Sequence, residues 1–139
     1  RILKFEVLPV KGEILTISSG INFVIEFYNA KEAINLDVTF ELVNMDEVVV
    51  FHHGAFVSKN KDSQKTVYTV TGTLPGYFLN TGSYRFNLIF GENQRFALYS
   101  MRDIVQFEVL NESLGSNSSI LPGVVRPDIQ YLINQKSLT

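Results

Sequence analysis

The sequence predicts an all-β protein, a two-layer antiparallel sandwich of about eight or nine short strands. Apolar and polar residues alternate at period two over most of the chain, the signature of half-buried strands. β-Branched and aromatic residues, including 11 Phe and 6 Tyr, gather in short runs bounded by Gly, Asn, Asp and Pro. Helical periodicity is nearly absent, which argues against βαβ units and leaves a sandwich or barrel.

The elements follow in order. Residues 2–8 and 14–18 give the first two runs. Residues 21–28 put Ile21, Phe23, Ile25 and Phe27 on one face and Asn22, Val24, Glu26 and Tyr28 on the other. Residues 36–43 repeat the pattern, with Leu36, Val38, Phe40 and Leu42 inward and Asp37, Thr39, Glu41 and Val43 outward. Further strands are expected at 48–52, 66–74, 83–90, 96–99 and 104–110. The turns between them, such as Asn44-Met45-Asp46, Asn60-Lys61-Asp62 and Gly91-Glu92-Asn93, use residues that accept turn dihedrals or bond their own backbone. The stretch from Leu79 through Asn80, Thr81, Gly82 and Ser83 to Tyr84 decides between sandwich and barrel. A Tyr opening a strand after such a turn can return its hydroxyl to the preceding loop, the tyrosine corner of immunoglobulin-like sandwiches. The fold expected is therefore immunoglobulin-like.

Composition narrows function. The chain has 139 residues, 12 basic and 14 acidic, for a net charge of −2. That length suits one domain with a substantial core. With no cysteine there is no disulfide framework, thiolate metal site or cysteine nucleophile. The near-neutral balance argues against nucleic acid as a partner, since phosphate contacts need a clustered basic surface. No apolar run approaches a membrane span and no signal-peptide pattern stands at the front. Because Arg1 leads directly into a strand, the chain reads as a module of a longer protein. Residues 1–110 are expected to form the sandwich core. The polar stretch 111–119 reads as a flexible tether, able to cover roughly 30 Å when extended. The apolar segment 120–139 must then dock on its own sheet or on a partner's.

Catalytic patterns are missing. His52 and His53 are adjacent, so on a strand they point to opposite faces and cannot readily share a metal. No Gly-x-Ser-x-Gly elbow supports a serine triad, and no Gly-rich loop cradles a phosphate. Outward carboxylates such as Glu26, Glu41 and Glu108 are what any solvated sheet shows, so a glycosidase has no specific support. The expectation is a non-enzymatic domain without metal or cofactor. Two Asn-x-Ser matches, at Asn111 and Asn117, carry no weight in loops so rich in Asn and Ser.

One surface offers binding chemistry. If the runs at 36–43, 83–90 and 104–110 pair in immunoglobulin order, their outward row holds Thr39, Glu41, Arg85, Asn87 and Gln106, with Ile89 and Glu108 beside them. Carboxylate, amide and guanidinium groups in a planar array suit the adjacent hydroxyls of a sugar. Tyr28, Tyr77, Phe78 and Tyr99 are candidates for a stacking platform. The competing reading of the same polar row is a plain solvated face.

The series FVIEFYN, INLDVTFELVNMDEVVVF, TGTLPGYFLNTGSYRFNLIF, DIVQFEVL and GVVRPDIQYL, running from Phe23 to Leu132, resembles the C-terminal domain of the ATP-binding subunit of bacterial polysaccharide ABC exporters, the Wzt type that handles O-antigen lipopolysaccharide. The most telling parts are residues 79–84, 107–109 and 123–127. The resemblance implies a carbohydrate-binding module without catalysis, with an ATPase upstream. It would recognise the end, often modified, of an O-polysaccharide and work in the cytoplasm at the inner face of the inner membrane. It also implies a homodimer, with strand exchange through 120–134 as one way to dock the tail. No sugar-contact residue carries over: Thr39, Glu41, Arg85, Asn87 and Gln106 rest on face assignment alone, and Tyr131 stands near where the family has a Trp. The alternative is an interaction or dimerisation sandwich that reads no sugar.

Overall fold

Two antiparallel sheets face each other across an aromatic core. In the computed structural model, which describes residues 1–111 and 121–135, the strands are β1 (Ile2–Pro9), β2 (Ile21–Asn29), β3 (Leu36–Asn44), β4 (Val49–Phe56), β5 (Thr66–Leu74), β6 (Gly82–Glu92) and β7 (Phe96–Val109). One sheet runs β1-β2-β5, the other β4-β3-β6-β7. This is the immunoglobulin-like sandwich expected from the alternation, and Tyr84 forms the predicted corner by donating to the Asn80 carbonyl at 2.7 Å.

The strand count is seven rather than eight or nine, for two physical reasons. Residues 14–18 do not form a strand. They make a looped bridge in which Thr16 pairs with Leu110, and Ser19 accepts from the Thr16 N–H while its single hydroxyl proton is shared between the Gly20 and Thr16 carbonyls. The side chain that interrupts extension thus supplies the loop's own hydrogen bonds. The runs at 96–99 and 104–110 are also one strand. β7 stays paired with β6 throughout but carries a bulge, since Phe86 faces Val105 while Leu88 faces Met101. The extra residues are accommodated at Asp103, whose φ of 53° lies in the left-handed region that Asp tolerates better than most residues.

Period-two parity builds the core. Ile21, Phe23, Ile25 and Phe27 of β2 meet Leu36, Val38, Phe40 and Leu42 of β3 and Tyr84, Phe86, Leu88 and Phe90 of β6, all of them buried. Phe86 lies at the centre, with ring centroids of Phe23, Phe5 and Phe107 at 4.9, 5.4 and 5.7 Å. Such pairs add about 0.5–1.5 kcal/mol each beyond the area they bury.

Beyond the sandwich, the chain from Leu121 to Arg126 returns to the loop before β6. Val125 pairs with Leu79, the Asn80 N–H donates to the Val124 carbonyl and the Arg126 N–H to the Phe78 carbonyl. The Asn80 amide holds the carbonyls of Leu121 and Gly123, both at 2.6 Å. After Arg126 the backbone leaves as an exposed segment in which Tyr131, Leu132 and Ile133 are 78, 88 and 89% exposed. The expected tether lies outside the described residues from 112 onward. Among the described residues, no helix is long and apolar enough to cross a membrane.

Candidate functional site

The outer face of the four-stranded sheet carries the five residues singled out from sequence. Register places them in cross-strand rows: His52, Glu41 and Asn87; Gly54, Thr39 and Ile89; Val43, Arg85 and Gln106. Residues directly opposite on one face lie within side-chain reach. Thr39, Glu41 and Arg85 are half-buried, Gln106 is exposed and Asn87 is buried, only 4% exposed.

Asn87 is closed over by the β7 bulge. Its amide donates to Glu41 Oε1 at 2.9 Å, and its carbonyl accepts the Asp103 N–H at 2.7 Å. Glu41 Oε2 lies 3.3 Å from His52 Nδ1, so one hydrogen-bonded row spans β4, β3, β6 and β7. The Asn87 amide, more than any other group, holds the Glu41 carboxyl below the usual carboxylate range. Burial opposes this, while His52 and the more distant Arg102 assist. Arg85 is similarly committed: it donates to the Asn44 carbonyl at 3.0 Å, pairs with Asp103 at 2.5 Å and bonds Glu47. Arg85 and Asn87 thus face outward, as parity requires, yet their polar atoms are largely spent holding the bulge and the β3–β4 turn. Sequence could not show this, because the partner groups come from an irregularity in a strand that reads as two.

A cleft opens at the other end of the same face. It has a volume of about 370 Å³ and is lined by Thr39, His52, Gly54, Ile89 and Gly91 of the sheet, with Arg95, Phe96 and Ala97 of the β6–β7 hairpin beside them. The hairpin turns on Asn93 and Gln94, both at positive φ (57° and 55°), with the Arg95 N–H donating to the Glu92 carbonyl. Two successive left-handed residues are the primed-turn geometry that matches strand twist. Asp37, read as outward, is buried beneath this tip and accepts the Gln94 N–H at 2.5 Å. Asn35 braces the tip further, its amide donating to Asn93 Oδ1 at 2.7 Å. The braced turn sets Arg95 and Phe96 at the rim of the cleft that they help to line.

The aromatics expected to form a platform lie elsewhere. Tyr28 is on the outer side of the other sheet, opposite Val67, Phe78 lines a separate slot and Tyr99 stacks on Phe90 at 6.4 Å. Phe96, 59% exposed, is the aromatic in the cleft. The slot, about 460 Å³, opens between β4 and β5 and is lined mainly by Phe23, Phe40, Phe51, Val70, Leu74 and Phe78. His53 faces this slot while His52 faces the outer cleft, so the two rings lie on opposite sides of β4. No group of three or more metal-ligating side chains occurs among the described residues.

Fold and surface define a class: an immunoglobulin-like sandwich whose four-stranded sheet turns a polar, hydrogen-bonded face to solvent. No family profile and no curated protein matches the sequence. In structure the chain is similar to the C-terminal domain of Wzt, with a TM-score of 0.77 and 14% identity over 96% of this chain and 83% of that one. A Bordetella pertussis protein carrying the provisional name ApaA overlays at a TM-score of only 0.38, with 12% identity over 79% of this chain and 93% of that one. The first likeness gives the fold that the sequence resemblance implied.

Proposed function

We propose that this domain is a non-catalytic carbohydrate-binding module that recognises an O-antigen polysaccharide, at its terminal or modified end, for export by an ABC transporter. The observation that carries the reading is the outer face of the four-stranded sheet, in a chain with the Wzt C-terminal fold over 96% of its length. On that face Thr39 and Gln106 are the direct contacts, joined by the ordered carboxylate of Glu41. Arg85 and Asn87 hold the row in shape and complete its surface. Each hydrogen bond to a sugar here replaces one to water and nets about 0.5–1.5 kcal/mol, so single-site affinity is modest. Duplication of sites in a dimer raises effective concentration.

The chain works as a sandwich at 1–110, a tether at 111–119 and a docking segment at 120–139, in the cytoplasm at the inner face of the bacterial inner membrane. An ATPase domain precedes it in the full protein. The exposed Tyr131-Leu132-Ile133 run supports homodimerisation through strand exchange over 120–134. The same run favours the second reading, an assembly module that reads no sugar. Calorimetric titration with a cognate O-polysaccharide separates the two. The proposal expects binding that weakens at least threefold in Thr39→Ala and Gln106→Ala, without turnover of the glycan. A folded domain that binds no O-chain refutes it and leaves the assembly reading.

A further inference from the structure

We propose that the cleft beneath the β6–β7 hairpin, rather than the Arg85–Asn87 row, is the anchoring subsite, and that it seats one pyranose ring by stacking on Phe96 with Arg95, His52 and Thr39 around its hydroxyls. The proposal rests on the carbohydrate reading and assigns it a location that sequence parity did not reveal.

Three observations converge on this cleft. The first is which groups are uncommitted. The polar atoms of Asn87 and Arg85 are engaged by Glu41, Asp103, Glu47 and the Asn44 carbonyl. A sugar would have to displace those partners before gaining anything. In contrast, the Arg95 guanidinium has no carboxylate within ion-pair distance and Thr39 Oγ1 has no hydrogen-bond partner, among the described residues. His52 spends only Nδ1 on Glu41. A hydroxyl can reach the hydrogen-bonding atoms of these groups without displacing a protein partner from them, the Arg95 guanidinium keeping its place over the Phe96 ring.

The second is the shape of the floor. Outward positions on neighbouring strands carry Gly54, opposite Thr39, and Gly91, opposite Asp37. A Cβ on Gly91 would lie 2.7 Å from Asp37 Oδ1, and one on Gly54 would lie 2.4 Å from the Val38 carbonyl oxygen. Packing within the sheet thus keeps both positions bare, and a glycine within a strand often marks close approach by a ligand. A volume of about 370 Å³ is near the lower end for small-molecule sites and suits one ring better than a run of chain.

The third is preorganisation. Phe96 is 59% exposed, although its hairpin is fixed by Asp37 and Asn35, and the Arg95 guanidinium lies 5.9 Å from its ring centroid. An exposed aromatic on a braced turn, with a cation over one face of its ring, offers the other face to the apolar side of a pyranose while the guanidinium and imidazole reach its edge. The ligand class is a hexopyranose with one unobstructed C–H face and two adjacent hydroxyls.

The test begins with a printed array of bacterial polysaccharides, and the strongest binder is then titrated into the wild-type domain and its variants. Phe96→Ala and Arg95→Ala are expected to weaken binding at least tenfold, and Phe96→Tyr to restore it to within threefold. Thr69→Ala, on the outer face of the other sheet, should match wild type. Because Phe96 is exposed, the unfolding midpoint of Phe96→Ala should stay within about 2 °C of wild type. On the wild type, amide shifts should concentrate at Gly54, Gly91 and Phe96. If the glycan binds but Phe96→Ala and Arg95→Ala stay within twofold, or the shifts fall on β1, β2 and β5, this subsite is wrong and the carbohydrate reading stands. If nothing on the array binds the wild-type domain, the carbohydrate reading fails and the subsite falls with it.

Discussion

Replacing Asn87 with Ala tests whether the outer face is a cooperative network or a set of independent side chains. The substitution deletes a donor to Glu41 Oε1 at 2.9 Å and an acceptor for the Asp103 N–H at 2.7 Å. A hydrogen bond to a charged group is worth about 1.5–3 kcal/mol and a neutral one about 0.5–1.5 kcal/mol. Glu41 and Asp103 keep part of their surfaces in water, which discounts both, so the expected loss is about 2–3 kcal/mol at pH 7. For a domain of this size that is a fall of about 10 °C in Tm. The pH dependence gives a sharper signature. Glu41 is held below the ordinary carboxylate range in the folded state, so its contribution is complete above the unfolded value of about 4.3 and fades as pH falls through the folded value. Urea unfolding followed by far-UV circular dichroism should show the gap between wild type and variant narrowing below pH 4.5. The Glu41 carboxyl, followed by NMR, should titrate at higher pH in the variant. A loss under 0.5 kcal/mol, or a gap that widens in acid, refutes the network.

Burial pushes the Tyr84 phenol up to about 12, so in a spectrophotometric titration one of the 6 tyrosines should ionise well after the rest. The unfolded chain releases that proton from about pH 10, so stability should fall by about 1.4 kcal/mol per pH unit between 10 and 12. Tyr84→Phe, which removes the bond to Asn80 and the 3.1 Å contact with the Val124 carbonyl, should cost about 1–2 kcal/mol and speed hydrogen exchange at the Asn80 amide. Gly54→Ala should cost about 2–3 kcal/mol by chemical denaturation, since the added methyl meets the Val38 carbonyl rather than a movable side chain. Deleting residues 127–139 should leave a folded monomer in sedimentation; a truncated chain that still dimerises would show that assembly uses another surface.

Strand parity was legible because a one-residue slip would turn Phe86 and Leu88 to water. Alternation alone therefore assigned Glu41, Arg85 and Gln106 to one face. What the sequence concealed depends on contacts remote along the chain. Asp37 reads as a solvated position, and its burial comes from a hairpin tip 57 residues away. Asn87 reads as an open amide until the β7 bulge closes over it. The polar Ser100-Met101-Arg102-Asp103 stretch breaks alternation and so reads as a gap between two strands, when it is an irregularity within one. Ile14 to Ser18 erred the other way: their alternation is real, but Ser19 and Gly20, at φ 70°, turn the backbone out of the sheet. Phe96 looked like an ordinary strand residue, and only the hairpin geometry shows what it overlooks.

The excursion in β7 also bears on solubility. β7 is the last strand of its sheet, and an unbroken terminal strand is a template on which a neighbouring copy can add in register. With Asp103 in a left-handed conformation between Met101 and Val105, the free peptide groups fall out of line halfway along the fourteen-residue strand. A second chain laid alongside could match one half of that border or the other, but not both, so the surface that carries the proposed recognition chemistry is shielded from lateral growth.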